Sequence, residues 1–289
     1  MELKWLERID RRIAYIIAII VVCFVLLSPL GLPLVISDRA RNYYDVVDAV
    51  PEGARALITC TLGIGNYRNP EAFPTYVATV NHLAQNNVKL IFVGLQSLDD
   101  WALIELCIKN GDFDLTGKIY GVDYVIVGYV GGLEAGTAAW AKDVIGTKPL
   151  DYRGDSLIDM EIMAGIETAA DFDFWHIASP TTSNTEAFMR QIEAPFGLKP
   201  TITTPSTQAG PSLIYVVSGQ ALEILWGAKM GAEYESLLGM PGTGAATVDA
   251  LSLLVVITIS FIFISNIPLL AEKLGRKPKP IESSEKGGI

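Results

Sequence analysis

Gly131 and Gly136, in the stretch YVIVGYVGGLEAGT (residues 124–137), stand at the interval of a phosphate-binding loop. Such a loop uses glycines to open its backbone N–H groups to phosphate, with a lysine after the second glycine as counter-ion. Here Thr137 takes the lysine position, Ala138 follows, and Glu134 puts a negative charge inside the loop. A dinucleotide-binding turn fails too. GIGNYR offers Gly63 and Gly65, but Arg68 stands where the third glycine would allow close helix packing. Nucleotide binding is therefore not expected, and the glycines read as turns at strand ends.

Turns at strand ends still carry a consequence. Open parallel sheets gather ligands outside the carboxyl ends of their strands. The residues at that rim are Asn66, Tyr67 and Arg68, then Gln96 and Ser97, then Tyr129, Gly131 and Gly132, and finally Ser179, Thr181 and Thr182. Such a polar rim, with helix N-termini aimed at it, suits a small anion, a sugar or a peptide end, with Arg68 as the anion partner. The competing reading is a set of ordinary solvated turns.

Other chemistry is thinly represented. DFDFWH holds Asp171, Asp173 and His176, but the aspartates stand where a helix closes and a strand opens, and His176 falls inside an apolar strand. There is no CxxC, no HxxxH and no GxSxG, and the only histidines are His82 and His176. Asp155, Asp159, Glu161 and Glu167 could supply a carboxylate pair, or simply a solvated helix start. The RGD at 153–155 is a chance-level match. No catalytic residue, metal or cofactor is assigned. Cys60 and Cys107 read either as two buried small hydrophobes or as a disulfide pair in an oxidising compartment; Cys23 sits in an apolar segment.

The elements that must position these residues alternate. Strands are expected at 54–63, 88–95, 122–130, 173–179 and 199–204, each an apolar run of strand formers. Residues 38–53 read as a short helix and a turn, and further helices are expected at 69–87, 97–111 (capped by Ser97 or Asp99 and stopped by Gly111), 133–144, 157–172, 184–197 and 218–239, the last capped by Ser218. Alternation of this kind implies right-handed crossovers and a mostly parallel sheet covered on both faces: an α/β three-layer, Rossmann-like domain.

Two further segments, residues 13–36 and 250–271, carry no charge and exceed the roughly 20 residues a helix needs to cross a bilayer. The first is too long for the apolar core of a signal peptide. Lys4, Arg8, Arg11 and Arg12 precede the first segment, and Lys273, Arg276, Lys277 and Lys279 follow the second. The positive-inside rule puts both ends, residues 1–12 and the tail 272–289, in the cytoplasm. The expected order is therefore a transmembrane helix at 13–36, an extracytoplasmic domain at 38–244 and a second transmembrane helix at 248–271. The chain of 289 residues has a net charge of -10, and residues 38–249 hold 13 bases against 26 acids. Such a surface repels nucleic acid.

WGAKMGAEY places Gly227 and Gly231 four apart, on one face if the segment is helical. Close packing on the domain's own sheet would use that face. A partner subunit near the membrane would use it too, with Trp226 and Tyr234 in the contact.

YGVDYVIVGYVGG, DFDFWHIAS, SGQALEILWGAKMGAEYESLLG and the second apolar segment together resemble an uncharacterised family of prokaryotic membrane proteins. The resemblance covers most of the central domain and the C-terminal span. It implies an α/β domain held between two membrane helices and carries over no activity and no catalytic residue. The expected function is a scaffold or ligand-sensing subunit of a membrane assembly, with the bilayer, a membrane-protein partner or a second copy as partners and a small-molecule ligand as an option. The alternative is a membrane-tethered hydrolase or transferase that uses the strand-end rim.

Overall fold

The computed structural model describes residues 11–96 and 98–275. Lys4, Arg8, Ser97, Arg276, Lys277 and Lys279 lie outside them, as do the side chains of Arg11 and Lys273. The chain forms two compact units: Ser28–Asp249, and the chain up to Leu27 together with that from Ala250 onward.

The Ser28–Asp249 unit is built on six parallel strands: β1 (Arg55–Cys60), β2 (Lys89–Gly94), β3 (Tyr124–Tyr129), β4 (Phe174–Ala178), β5 (Pro200–Thr204) and β6 (Glu223–Trp226). Their order is β3-β2-β1-β4-β5-β6, so the direction of winding reverses between β1 and β4. Leu57 of β1 lies beside Ile91 of β2 on one side and Trp175 of β4 on the other. Successive side chains alternate between faces, and both faces are buried.

Among the described residues the α-helical segments are α1 (Arg11–Leu27), α2 (Asp38–Asp48), α3 (Phe73–Gln85), α4 (Asp100–Asn110), α5 (Leu133–Lys142) and α6 (Val144–Thr147). Then come α7 (Thr182–Phe188), α8 (Ala194–Phe196), α9 (Ala209–Val217), α10 (Gly227–Leu238) and α11 (Thr243–Gly275). Ala56, Ile58, Leu90, Phe92 and Ile126 meet α2, α3, α4 and α10 through Tyr43, Tyr76, Leu103 and Tyr234. Leu57, Ile91, Val125, Trp175 and Ile202 meet α5 to α9 through Trp140, Val144, Phe188, Phe196 and Leu213. The α/β layers expected from the alternation are therefore present.

Four local expectations are corrected. Residues 157–172 form no α-helix. They make three single turns of 3-10 helix, Leu157–Asp159, Glu161–Met163 and Ala169–Asp171, separated by extended backbone at Met160 and Ala164. Leu157, Ile162, Met163, Ile166 and Ala169 are buried at helix-like spacing, which is why the pattern misleads. Residues 218–239 are not one helix either: EILW is the buried strand β6, and α10 begins only at Gly227. Ser218 closes α9, a helix that periodicity misses because AGPSLIYVV has no polar side. Residues 184–197 contain a π-helical turn at Met189–Glu193, where Pro195 has no N–H to continue the regular ladder. Finally, α1 ends at Leu27; the chain from Ser28 to Ile36, with Pro29 and Pro33, is not helical.

Residues 243–267 of α11 are long and apolar enough to cross a membrane, with mean hydropathy 2.4. At 17 residues α1 is shorter, and among the described residues no second helix meets that length. Ile16, Ile19, Ile20 and Phe24 of α1 and Val255, Ile259, Ile262 and Phe263 of α11 expose their side chains.

Candidate functional site

At the carboxyl ends of the strands the predicted residues are drawn into local bonds. The N–H groups of Gly63 and Ile64 donate to Asp100 and Asp99 at 3.0 Å each, which ties the chain after β1 to the start of α4. Asn66 donates back to the Leu62 carbonyl. Tyr67 packs edge-on against Phe73, and its hydroxyl donates to Asp112 at 2.9 Å. Arg68 reaches the other oxygen of Asp112 at 3.4 Å. Asp112 follows the far end of α4, so Tyr67 and Arg68 turn along the helix layer instead of standing over the strand ends.

Gln96, after β2, donates to Thr137 at 3.0 Å. Gly131 and Gly132 form the turn into α5, and Gly132 has φ +102°. A Cβ built on Gly136 would lie 2.0 Å from the Gly131 carbonyl oxygen. The interval between the two glycines thus lets the first turn of α5 sit on the backbone leaving β3. Glu134, beside them, is gripped by Arg190 at 2.9 and 3.0 Å and by Gln191 at 2.9 Å. The Arg190 bonds, foremost, push its carboxyl down to about 2.

Ser179 donates to the Thr181 carbonyl at 2.8 Å, and both the N–H and hydroxyl of Thr182 donate to Gln208. Tyr129 is partly buried at the end of β3. What sequence reasoning missed is the apolar tip of this rim. Ile64, Leu98 and Leu133 follow the neighbouring strands β1, β2 and β3 and are 47%, 71% and 57% exposed. For Ile64 and Leu133 the signal was available as an apolar residue next to a turn glycine; Leu98 stands between Ser97 and Asp99, where polar neighbours obscure it.

The four residues read as a partner face are distributed differently. Trp226 ends β6, with the Arg39 guanidinium 5.5 Å over its ring. Gly227 opens α10 and shares that helix with Gly231 four residues on, and its N–H donates to the Glu71 carbonyl. Gly231 packs on α3: a Cβ there would stand 2.8 Å from Pro74 Cβ. Tyr234 is buried, with its hydroxyl 2.8 Å from His82 Nδ1. This face is used within the domain.

The most concentrated chemistry lies instead where the chain enters and leaves the Ser28–Asp249 unit. Glu233 of α10 accepts the N–H of Ser37 at 3.0 Å and its hydroxyl at 2.5 Å, and pairs with Lys229. Burial opposes ionisation of Glu233, but Lys229 and Ser37 override it and hold the carboxyl below its ordinary value. Glu235, one turn-half further on, accepts the N–H groups of Gly242, Gly244 and Ala245 at 2.9, 2.9 and 2.7 Å. Burial pushes this carboxyl up against those three bonds. Asp249 in turn accepts from Leu30, Gly31 and Leu32 at 2.8, 2.8 and 3.1 Å. Each carboxylate satisfies backbone donors that helix starts and turns leave unpaired.

His176, on β4, is buried, with Nδ1 3.0 Å from the hydroxyl of Thr201 on β5 and 3.3 Å from that of Tyr43 on α2. Burial lowers it to about 3, so it is neutral. Cys60 and Cys107 are buried free thiols, and burial pushes both up, away from the reactive thiolate. Asp171 caps its own turn at Thr168, and Asp173 accepts the N–H of Arg55. Among the described residues no group of three or more His, Cys, Asp and Glu is placed to hold a metal ion. Comparison with protein-family models, with curated proteins and with solved structures found no match.

Proposed function

We propose that the chain is a membrane-anchored subunit whose α/β domain works outside the cytoplasm as a scaffold or ligand-sensing part of a membrane assembly. The observation that carries this reading is the trio of buried carboxylates. Glu233, Glu235 and Asp249 bind backbone N–H groups of both the entering segment, 30–37, and the leaving segment, 242–245. A domain merely tethered by its ends needs no such fastening. One that reports on, or holds, membrane neighbours does, because flexible linkers would absorb any displacement.

Supporting it are the apolar stretch at 243–267, the exposed apolar side chains of α1, and the basic residues flanking both segments. Both termini are then cytoplasmic. The resemblance to a family of two-span prokaryotic membrane proteins points the same way. For the rival reading, a tethered hydrolase or transferase, Arg68 would have to face a carboxylate across the strand-end rim. Its carboxylate is Asp112, beyond the far end of α4.

Purification of the full chain from its native membrane in mild detergent, with cross-linking beforehand, tests the proposal. A co-purifying membrane protein or a self-associated species is expected. A lone monomer would count against the assembly. Protease added to intact cells should cut the domain and spare the basic tail; the reverse pattern would overturn the topology.

A further inference from the structure

A pocket of about 370 Å³ lies on the outer side of α3, between the loop after α4 and the link from α10 to α11. Its volume falls within the usual range for small-molecule sites. One wall is apolar: Pro74, Val77, Ala78, Leu238 and Met240. Asp112, Asp114 and Glu235 are the pocket's acidic lining. No basic side chain is among the described residues that line it.

The loop of Asp112 and Asp114 is held in place from within. Asn81, itself buried, donates to the Asp112 carbonyl at 2.9 Å and accepts the Asp114 N–H at 2.8 Å. Both hydrogen-bonding ends of the amide therefore fix the loop that presents the two carboxylates. The pocket also touches Gly242 and Thr243, and Glu235 holds the N–H of Gly242. An occupant would thus contact the link leading into α11 directly.

We propose that this pocket binds a small organic ammonium with an apolar body. The ammonium would face Asp112 and Asp114, and the body would lie on Val77, Ala78, Leu238 and Met240. Charge selects the class: no basic side chain among the described lining residues would balance an anion there, whereas an ammonium adds a charge-assisted partner to Asp112, already held by Tyr67 and Arg68, and to Asp114, which takes the Thr116 N–H. The site deepens the ligand-sensing half of the proposed function and rests on it.

Arg68 supplies an internal check. Its guanidinium occupies one oxygen of Asp112 at 3.4 Å and so competes with an incoming ammonium. Removing it should improve binding, the opposite of what a residue serving an anion site would do.

The test uses the full chain in phosphatidylcholine nanodiscs, with empty nanodiscs as the blank. Binding of phenethylammonium is compared by calorimetry with that of 2-phenylethanol and 3-phenylpropanoate. The amine should bind at least about tenfold more tightly than the alcohol, and Asp114→Asn should weaken it about tenfold, the loss of one charge-assisted hydrogen bond. Arg68→Ala should strengthen it, and Leu238→Trp, which fills the apolar wall, should abolish it. Equal affinity for amine and alcohol would overturn the proposal. So would amine binding indifferent to both Asp114→Asn and Leu238→Trp, or no amine binding at millimolar concentration. Because the binding is read on the isolated chain, a protein that assembles yet ignores the amine loses this site alone; one that binds it but never assembles loses the assembly.

Discussion

Asp249 accepts the backbone N–H of Gly31 at 2.8 Å, joining two residues 218 positions apart in sequence. The same carboxylate takes the N–H groups of Leu30 and Leu32 and is almost completely buried. It stands six residues into α11, where an acidic side chain in an apolar helix would otherwise be costly.

Asp249→Ala removes the acceptor and leaves three N–H groups short of partners. Unfolding free energy should fall by about 3 kcal/mol, and the segment 28–37 should become sensitive to protease in the folded protein. Denaturant titration and limited proteolysis measure both. An unchanged midpoint would show that the segment is held by something else.

Acid should loosen the domain through its buried histidines. An unfolded histidine binds a proton near 6.5, whereas burial keeps His176 neutral down to about 3. The unfolded chain therefore holds the extra proton between those values. Stability is full above about pH 6.5 and declines as pH falls, with a limiting slope of about 1.4 kcal/mol per pH unit. Burial lowers His82 also, so it adds in the same direction. His176→Asn should flatten the slope between about pH 6 and 5. An identical slope in variant and parent would assign it to other groups.

Two glycines should resist substitution for steric reasons. Gly136→Ala drives a methyl group into the Gly131 carbonyl, and Gly231→Ala drives one into the ring of Pro74. Each should cost about 1–3 kcal/mol despite alanine's better helix propensity. Thermal unfolding with the Gly231→Ala chain also checks whether that face belongs to α3. A stable variant would leave it free for a partner.

Arg68 should matter little to the fold. It is largely exposed, and its single contact with Asp112 is long. Arg68→Ala should change stability by less than about 1 kcal/mol. A larger loss would show that the loop after β1 depends on this pair.

Much of this protein was legible in residue order. Runs such as VKLIFVGL and YVIVGY announce buried parallel strands, because a strand covered on both faces has no polar side. Helix α3 follows from spacing, and α4 and α5 from spacing and from their glycine or aspartate ends. Local pattern failed where two structures share one pattern: Leu157 to Ala169 buries a helix-like set of side chains through three separate turns. It failed again at β6, whose four residues EILW continue smoothly into a helical sequence.

The candidate sites divide in the same way. Composition and spacing were enough to disfavour a phosphate loop, since the missing lysine is a property of the sequence itself. Spacing could not tell which way Tyr67 and Arg68 turn, nor that Gly231 meets Pro74. Those depend on which helices become neighbours. Only the tertiary structure brings Glu235 to Gly244, Asp249 to Gly31, and Asn81 to the loop of Asp112 and Asp114. The reason is physical: chain periodicity reports which side of an element is apolar, whereas a buried carboxylate must find donors, and donors left free at helix starts and turns lie wherever the fold has carried them.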